Sequence, residues 1–173
     1  ADFAYAEFAD RDHTQFALSL PNVVVTRTLS KAWGLAGLRV GYAVGPPEVI
    51  AWMRASGSPY SVSRPSLLLA AEALRRGDHA VRAFVERITF ERAELQRRLV
   101  SHGVESFPSQ ANFVLARSAD ALWLRDAMAG MGIAVRAFPG REMLGDCVRI
   151  TCPGDEGQFE RLCRSFSTVL APQ

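Results

Sequence analysis

The residues whose types and spacing could do chemistry are gathered in one stretch: Thr28-Leu29-Ser30-Lys31-Ala32-Trp33-Gly34-Leu35-Ala36-Gly37-Leu38-Arg39-Val40-Gly41-Tyr42. Two hydroxyls and a guanidinium are natural partners for a phosphate, because arginine offers a planar fork of donors and each hydroxyl adds a neutral one. Glycines let the backbone turn sharply and come close to a ligand. A lysine in such surroundings can form a Schiff base with a carbonyl cofactor. The pattern GxxxxGK[ST] is absent, so this is not a Walker-type nucleotide loop. Spacing alone leaves a solvated, glycine-containing surface loop open as well.

The stretch resembles the cofactor-lysine segment of fold-type-I aminotransferases that use pyridoxal 5'-phosphate, and within them it is most similar to the histidinol-phosphate aminotransferase family. The resemblance implies that Lys31 is the Schiff-base lysine and the general base that moves the α-proton, and that Thr28, Ser30 and Arg39 hold the cofactor phosphate. Asp2-Phe3-Ala4-Tyr5 resembles that family's Asp-Glu-Ala-Tyr, with Phe3 in place of the glutamate. By the same likeness Asp2 pairs with the pyridinium nitrogen, which keeps the ring an electron sink, and Tyr5 hydrogen-bonds its phenolic oxygen.

A third patch lies toward the end of the chain. Pro108-Ser109-Gln110-Ala111-Asn112-Phe113-Val114 resembles the strand that enters the family's small domain, and Arg136 and Arg149 correspond to its two substrate-binding arginines. Arg149 is expected to grip a substrate carboxylate or phosphate bidentately, with Arg136 assisting. After Thr151 the family continues Val-Gly-Thr where this chain has Cys152-Pro153-Gly154. The implied reaction is transamination between a small-molecule amino donor, L-histidinol phosphate, and 2-oxoglutarate in histidine biosynthesis, by a cytoplasmic homodimer. Threonine-phosphate decarboxylation and aromatic transamination are the enzymatic alternatives. A non-catalytic remnant serving packing or partner binding is the alternative of a different class.

The elements that must position these residues can be read in outline. Residues 22–26 form a β-branched run expected to be a buried strand, and residues 38–44 a second strand after the glycine-rich bend. Pro46-Pro47 suit the start of a helix to about Arg54, residues 56–63 a loop, and residues 65–76 a packed helix ending near Gly77. Asp78 is placed to cap a long helix to about His102, with Val81, Phe84, Val85, Ile88, Leu95 and Leu99 at helical spacing. Beyond it, strands at 104–107, 112–116, 133–136 and 147–151 alternate with helices at 120–131 and 155–170. This order predicts an α/β architecture: the C-terminal part of a large, mostly parallel cofactor-binding domain (1–77) followed by a smaller α+β domain (78–173), with the long helix as bridge.

Composition excludes more than it identifies. Lys and Arg number 20 against 18 Asp and Glu, a formal net charge of +2, too small an excess to argue for nucleic acid. Glu86, Glu91 and Glu94 alternate with the basic residues between Arg82 and Arg98, as on a solvated helix laced with ion pairs. Three cysteines without a CxxC pair suggest neither zinc nor a disulfide framework, and His13, His79 and His102 share no metal-like spacing. No apolar run approaches the roughly 20 residues of a membrane span. Tyr60 reads as structural, and Trp52, Trp123 and the ten phenylalanines as core. Family members are about twice this long, so the chain is expected to be a fragment unable to transaminate unaided.

Overall fold

The computed structural model describes residues 1–171. It separates into two compact units, Ala1–Val85 and the remainder from Glu86 onward, with the division falling inside one long helix.

The first unit is organised around a two-stranded antiparallel ribbon, β1 (Val25–Thr28) and β2 (Gly41–Val44), paired from Val25↔Val44 to Thr28↔Gly41. The sequence pattern places these strands at 22–26 and 38–44, and the partner decides the difference. Residues 36–38 close a 3₁₀ turn and Arg39 takes a left-handed conformation (φ 57°), so an extended strand cannot begin before it. At Gly41 a Cβ would stand 2.7 Å from the Arg27 carbonyl oxygen, so the ribbon closes where glycine allows that approach. The opening residues lie along β1 in a parallel bridge, Asp2↔Thr26, with Thr26 N–H donating to Ala1 O and Phe3 N–H to Thr26 O, both at 2.9 Å. That bridge is the parallel component of the unit.

A 3₁₀ turn at Ala6–Phe8 and the short helix α1 (Thr14–Leu18) follow the bridge, then α2 (Pro47–Ser56) and α3 (Arg64–Arg76). Proline at the first position of α2 has no amide to leave unpaired, and Ser63 caps α3 by accepting from Ser66 N–H at 3.2 Å. Contrary to the packed helix expected at 65–76, α3 buries only Ala70, while Leu67, Leu68, Leu69 and Leu74 are 48–63% exposed. Trp52 (60% exposed) likewise lies outside the core, as do Phe16 and Phe90. An apolar periodicity names the face that seeks cover; a second layer of chain must supply that cover. The first unit's own core is small: Phe8, Ala17, Val25, Leu29, Ala32 and Ala70, with Phe8 edge-on to Phe84 at 6.1 Å.

The long helix, α4 (Asp78–Ser101), begins at Asp78 itself. Asp78 therefore sits in the first turn, paired with Arg82 one turn on, and is not an N-cap. In the second unit α4 faces a four-stranded antiparallel sheet of order β3-β4-β6-β5: β3 (Glu105–Ser106), β4 (Phe113–Arg117), β5 (Arg136–Ala137) and β6 (Cys147–Thr151). Helices α5 (Ala121–Gly130) and α6 (Glu156–Val169) start where expected, at Asp120 accepting from Trp123 N–H (2.8 Å) and Asp155 from Gln158 N–H (2.9 Å). One face of the sheet carries Val114, Ala116, Val148 and Ile150, each fully buried, together with Ile88, Leu95, Leu99, Leu124 and Met128 in the same core. Trp123 is half exposed and outside it.

Glu91 departs from the solvated face predicted for α4. It is fully buried, with Oε1 accepting from Arg87 Nε at 2.7 Å and Oε2 from Gly154 N–H at 2.8 Å. Beside it Arg92 donates to Ala111 O at 3.0 Å, and Gln96 to Phe107 O at 2.8 Å. A buried charge persists only when paired and hydrogen-bonded, and this helix face meets that condition by reaching backbone on both flanks of the sheet.

Candidate active site

Lys31 follows directly on β1. Leu29 (2% exposed) and Ala32 (4%) are buried on either side of it, and its backbone is closed by Leu29 N–H to Val40 O (3.1 Å), Leu35 N–H to Leu29 O (2.9 Å) and Gly34 N–H to Lys31 O (3.1 Å). Gly34, at φ +67°, takes the left-handed position that ends the turn. The half-buried lysine projects from a rigid corner, with its Nζ 5.4 Å from the centroid of the Tyr5 ring. That distance lies within cation–π range. Two patches distant in sequence, the opening Asp2-to-Tyr5 segment and the lysine turn, thus meet in one place.

Thr28 and Ser30 are brought together too. Thr28 Oγ1 donates to Ser30 Oγ at 2.9 Å and accepts from Ser30 N–H at 3.1 Å. This local turn holds two hydroxyls on the approach to Lys31. Asp2 is exposed, with Oδ1 accepting from Ala4 N–H at 3.0 Å. Arg39 stands apart: its exposed guanidinium donates to Ala36 O at 3.0 Å, and among the described residues no bond joins it to Thr28, Ser30 or Lys31. Its neighbour Val40 accepts the bond from Leu29 N–H, and Arg39's own N–H donates to Ala36 O, which keeps its backbone on the lysine turn.

In the second unit, Arg136 of β5 and Arg149 of β6 are directly paired across the strands, so both project from the same face, opposite the buried one. Arg149 is half-buried, lies 5.3 Å over the Phe113 ring, and has a buried Nε with no hydrogen-bond partner among the described residues. Arg136 is exposed and lies over Phe138 at 5.2 Å. Like charges opposite one another disfavour the pairing, and an orphaned guanidinium N–H adds to the cost.

Residues outside the spacing-based reading gather around Arg27, one position before Thr28 on the strand that leads into the lysine turn. Arg27 of β1, with its side chain 12% exposed, donates to Glu7 Oε1 (3.0 Å), Asp12 Oδ2 (3.3 Å) and Thr14 Oγ1 (2.8 Å). Burial alone would lower the arginine's proton affinity, but the hydrogen bond and charge of Glu7, with Asp12, raise it overall. The Thr14 hydroxyl, with the Thr14 amide and Arg27, holds the Asp12 carboxyl below its usual range against the opposing effect of burial. Asp12 with Thr14 is a recognisable local turn. Its link to an arginine far along the chain has no signature in spacing. The three cysteines are free and buried; burial pushes Cys147 and Cys163 up and Cys152 up to about 12.

Fold and site together define a class. The chain belongs to the aminotransferase class I and II family, whose model matches residues 1–166, and it folds as fold-type-I aminotransferases do. Within that class it is 38% identical to histidinol-phosphate aminotransferase of Paracoccus denitrificans over 175 residues, and 36% identical to histidinol-phosphate aminotransferase 1 of Legionella pneumophila (strain Paris) over 173 residues. Each alignment covers 98% of this chain and 47% of the relative. The crystal structure of histidinol-phosphate aminotransferase from Sinorhizobium meliloti in complex with pyridoxal-5'-phosphate matches with a TM-score of 0.83 at 31% identity, covering 98% of this chain and 47% of that one. The chain spans about half the length of the curated relatives it matches.

Proposed function

We propose that the protein carrying this chain is a pyridoxal-phosphate-dependent aminotransferase that moves the amino group of L-histidinol phosphate to 2-oxoglutarate. The observation that carries the reading is the meeting of Lys31 Nζ and the Tyr5 ring, with the mutually bonded Thr28 and Ser30 hydroxyls in the turn that leads to the lysine. The donor set fits the cofactor: hydroxyls and an arginine for a phosphate, an amine for a carbonyl, a phenol for a ring oxygen and a carboxylate for a ring nitrogen. When bound, pyridoxal phosphate supplies the electron sink that makes the substrate α-proton acidic.

The chain's own residues supply the rest. Thr28, Ser30 and Arg39 would hold the cofactor's phosphate, with two hydroxyls and a guanidinium as donors. Asp2 takes the ring nitrogen and Tyr5 donates to the ring oxygen. Lys31 Nζ would hold the cofactor's carbonyl and serve as the base for the proton at the substrate α-carbon. Arg149 grips the substrate's anionic end through its unpartnered Nε edge, and Arg136 adds charge from across the strand pair. The proposal includes a homodimeric, cytoplasmic protein with two domains, 1–77 and 78–173 in this chain.

Three measurements on the whole protein test this. Borohydride should fix the cofactor's visible band onto Lys31 alone. Amino transfer should be faster with histidinol phosphate than with phenylalanine, and threonine phosphate should release no carbon dioxide. A faster reaction with either rival substrate overturns the choice of donor, and a band fixed elsewhere overturns the lysine.

A further inference from the structure

We propose that Arg27 is a positioning residue for Tyr5, acting through Glu7, Asp12 and Thr14 to hold the phenol against Lys31. The role assigned to Tyr5 rests on the functional reading above; the fastening itself does not.

The segment from Ala1 to Thr14 is secured to β1 in two different ways. Its beginning is held by backbone: Thr26 N–H donates to Ala1 O and Phe3 N–H to Thr26 O, both at 2.9 Å. Toward its far end one side chain reaches three of its residues, since a single guanidinium bonds Glu7, Asp12 and Thr14 at once. Tyr5 lies between the fastenings and joins the second through the 3₁₀ turn, where Phe8 N–H donates to Tyr5 O at 3.0 Å. Phe8, buried against Phe84, keeps the segment on the unit if the second fastening fails. Loss of Arg27's bonds should therefore loosen residues 4–14 while leaving Asp2 in its bridge and the unit folded.

The geometry is specific to arginine. The carboxylates of Glu7 and Asp12 and the Thr14 hydroxyl lie around the two terminal nitrogens of one planar fork, an arrangement a lysine's compact ammonium does not match. Arg27 also precedes Thr28 and pairs across the ribbon with Tyr42, so the residue that fastens the segment is part of the strand that leads into the lysine turn. Tyr5 and Lys31 are in this way referred to the same strand.

The test uses Arg27→Lys, Glu7→Gln and Tyr5→Phe in the whole protein. In the first two, amide hydrogen exchange across residues 6–14 should rise about tenfold or more, the loss of one charge-assisted hydrogen bond, while Phe3 and Thr26 amides keep their protection. With cofactor bound, the pH midpoint of its visible band should move in the same direction in Arg27→Lys as in Tyr5→Phe, and the double variant should show no further shift. Unchanged exchange at 6–14, or additive midpoint shifts, overturns the proposal. If the unsubstituted protein takes up no cofactor, the functional reading fails, and the exchange measurement alone decides the fastening.

Discussion

The two units hold their anion-binding candidates in opposite ways. The arginine pair stands on a four-stranded sheet whose other face is sealed by Val114, Ala116, Val148 and Ile150, so Arg149's position follows from a closed core. The lysine turn stands on a two-stranded ribbon beside helices whose leucines and tryptophan are open, so Lys31's position follows from local hydrogen bonds and two buried neighbours. A two-stranded ribbon is marginal by itself. The contrast teaches that turn chemistry can define a site where packing is thin, whereas a side chain on a sheet needs the whole layer behind it.

The comparison can be broken in several ways. The largest effect is expected at the turn: Lys31→Ala should remove the borohydride-fixed band and lower amino transfer by about 10³-fold or more, measured on the whole protein. Next, Leu95→Ala in the closed unit should cost about 2–5 kcal/mol in urea unfolding, while Leu68→Ala on open α3 should stay within about 0.5 kcal/mol. Equal costs would show that the two regions are packed alike. Arg149→Lys should raise KM for the phosphorylated amino donor about tenfold or more with a smaller change in kcat, and exposed Arg136→Lys should do less. Reversal of that order would show that the sheet face does not set the substrate's position.

The smallest effect concerns pH. Asp12 is depressed below its ordinary 3.8, so its contribution to the first unit is complete above that value and is lost as the pH falls through the lower native one. Amide exchange at residues 6–14 should accelerate in that acid range before the second unit's core amides respond. Simultaneous acceleration in both would remove the distinction between them.

Local chemistry was the legible part of this molecule. Asp120 and Asp155 announce the starts of α5 and α6 because a cap is settled within three residues, and 147–151 reads as a strand because its alternation is sharp. The lysine stretch is legible because turn, hydroxyls and amine are contiguous. Placement that depends on a partner was harder to read: β1 starts later than its β-branched run because Gly41 fixes the register. Glu91 looked like a surface charge because its acceptor role toward Gly154 spans distant residues. The same holds for Arg27 with Glu7 and Asp12, and for Trp52, Trp123 and the α3 leucines, whose burial needs a covering layer that periodicity cannot report.

Arg136 and Arg149 occupy directly paired positions on neighbouring strands, on the sheet face opposite the core. An anion taken up on that face, as the proposed function has it, ties occupancy to unfolding. By mass action, a ligand at 100 times its Kd adds about 2.7 kcal/mol to the folded state. If this face takes the anion proposed above, the second unit's melting temperature should climb with anion concentration, and added salt, by screening the attraction between arginine and anion, should reduce the gain.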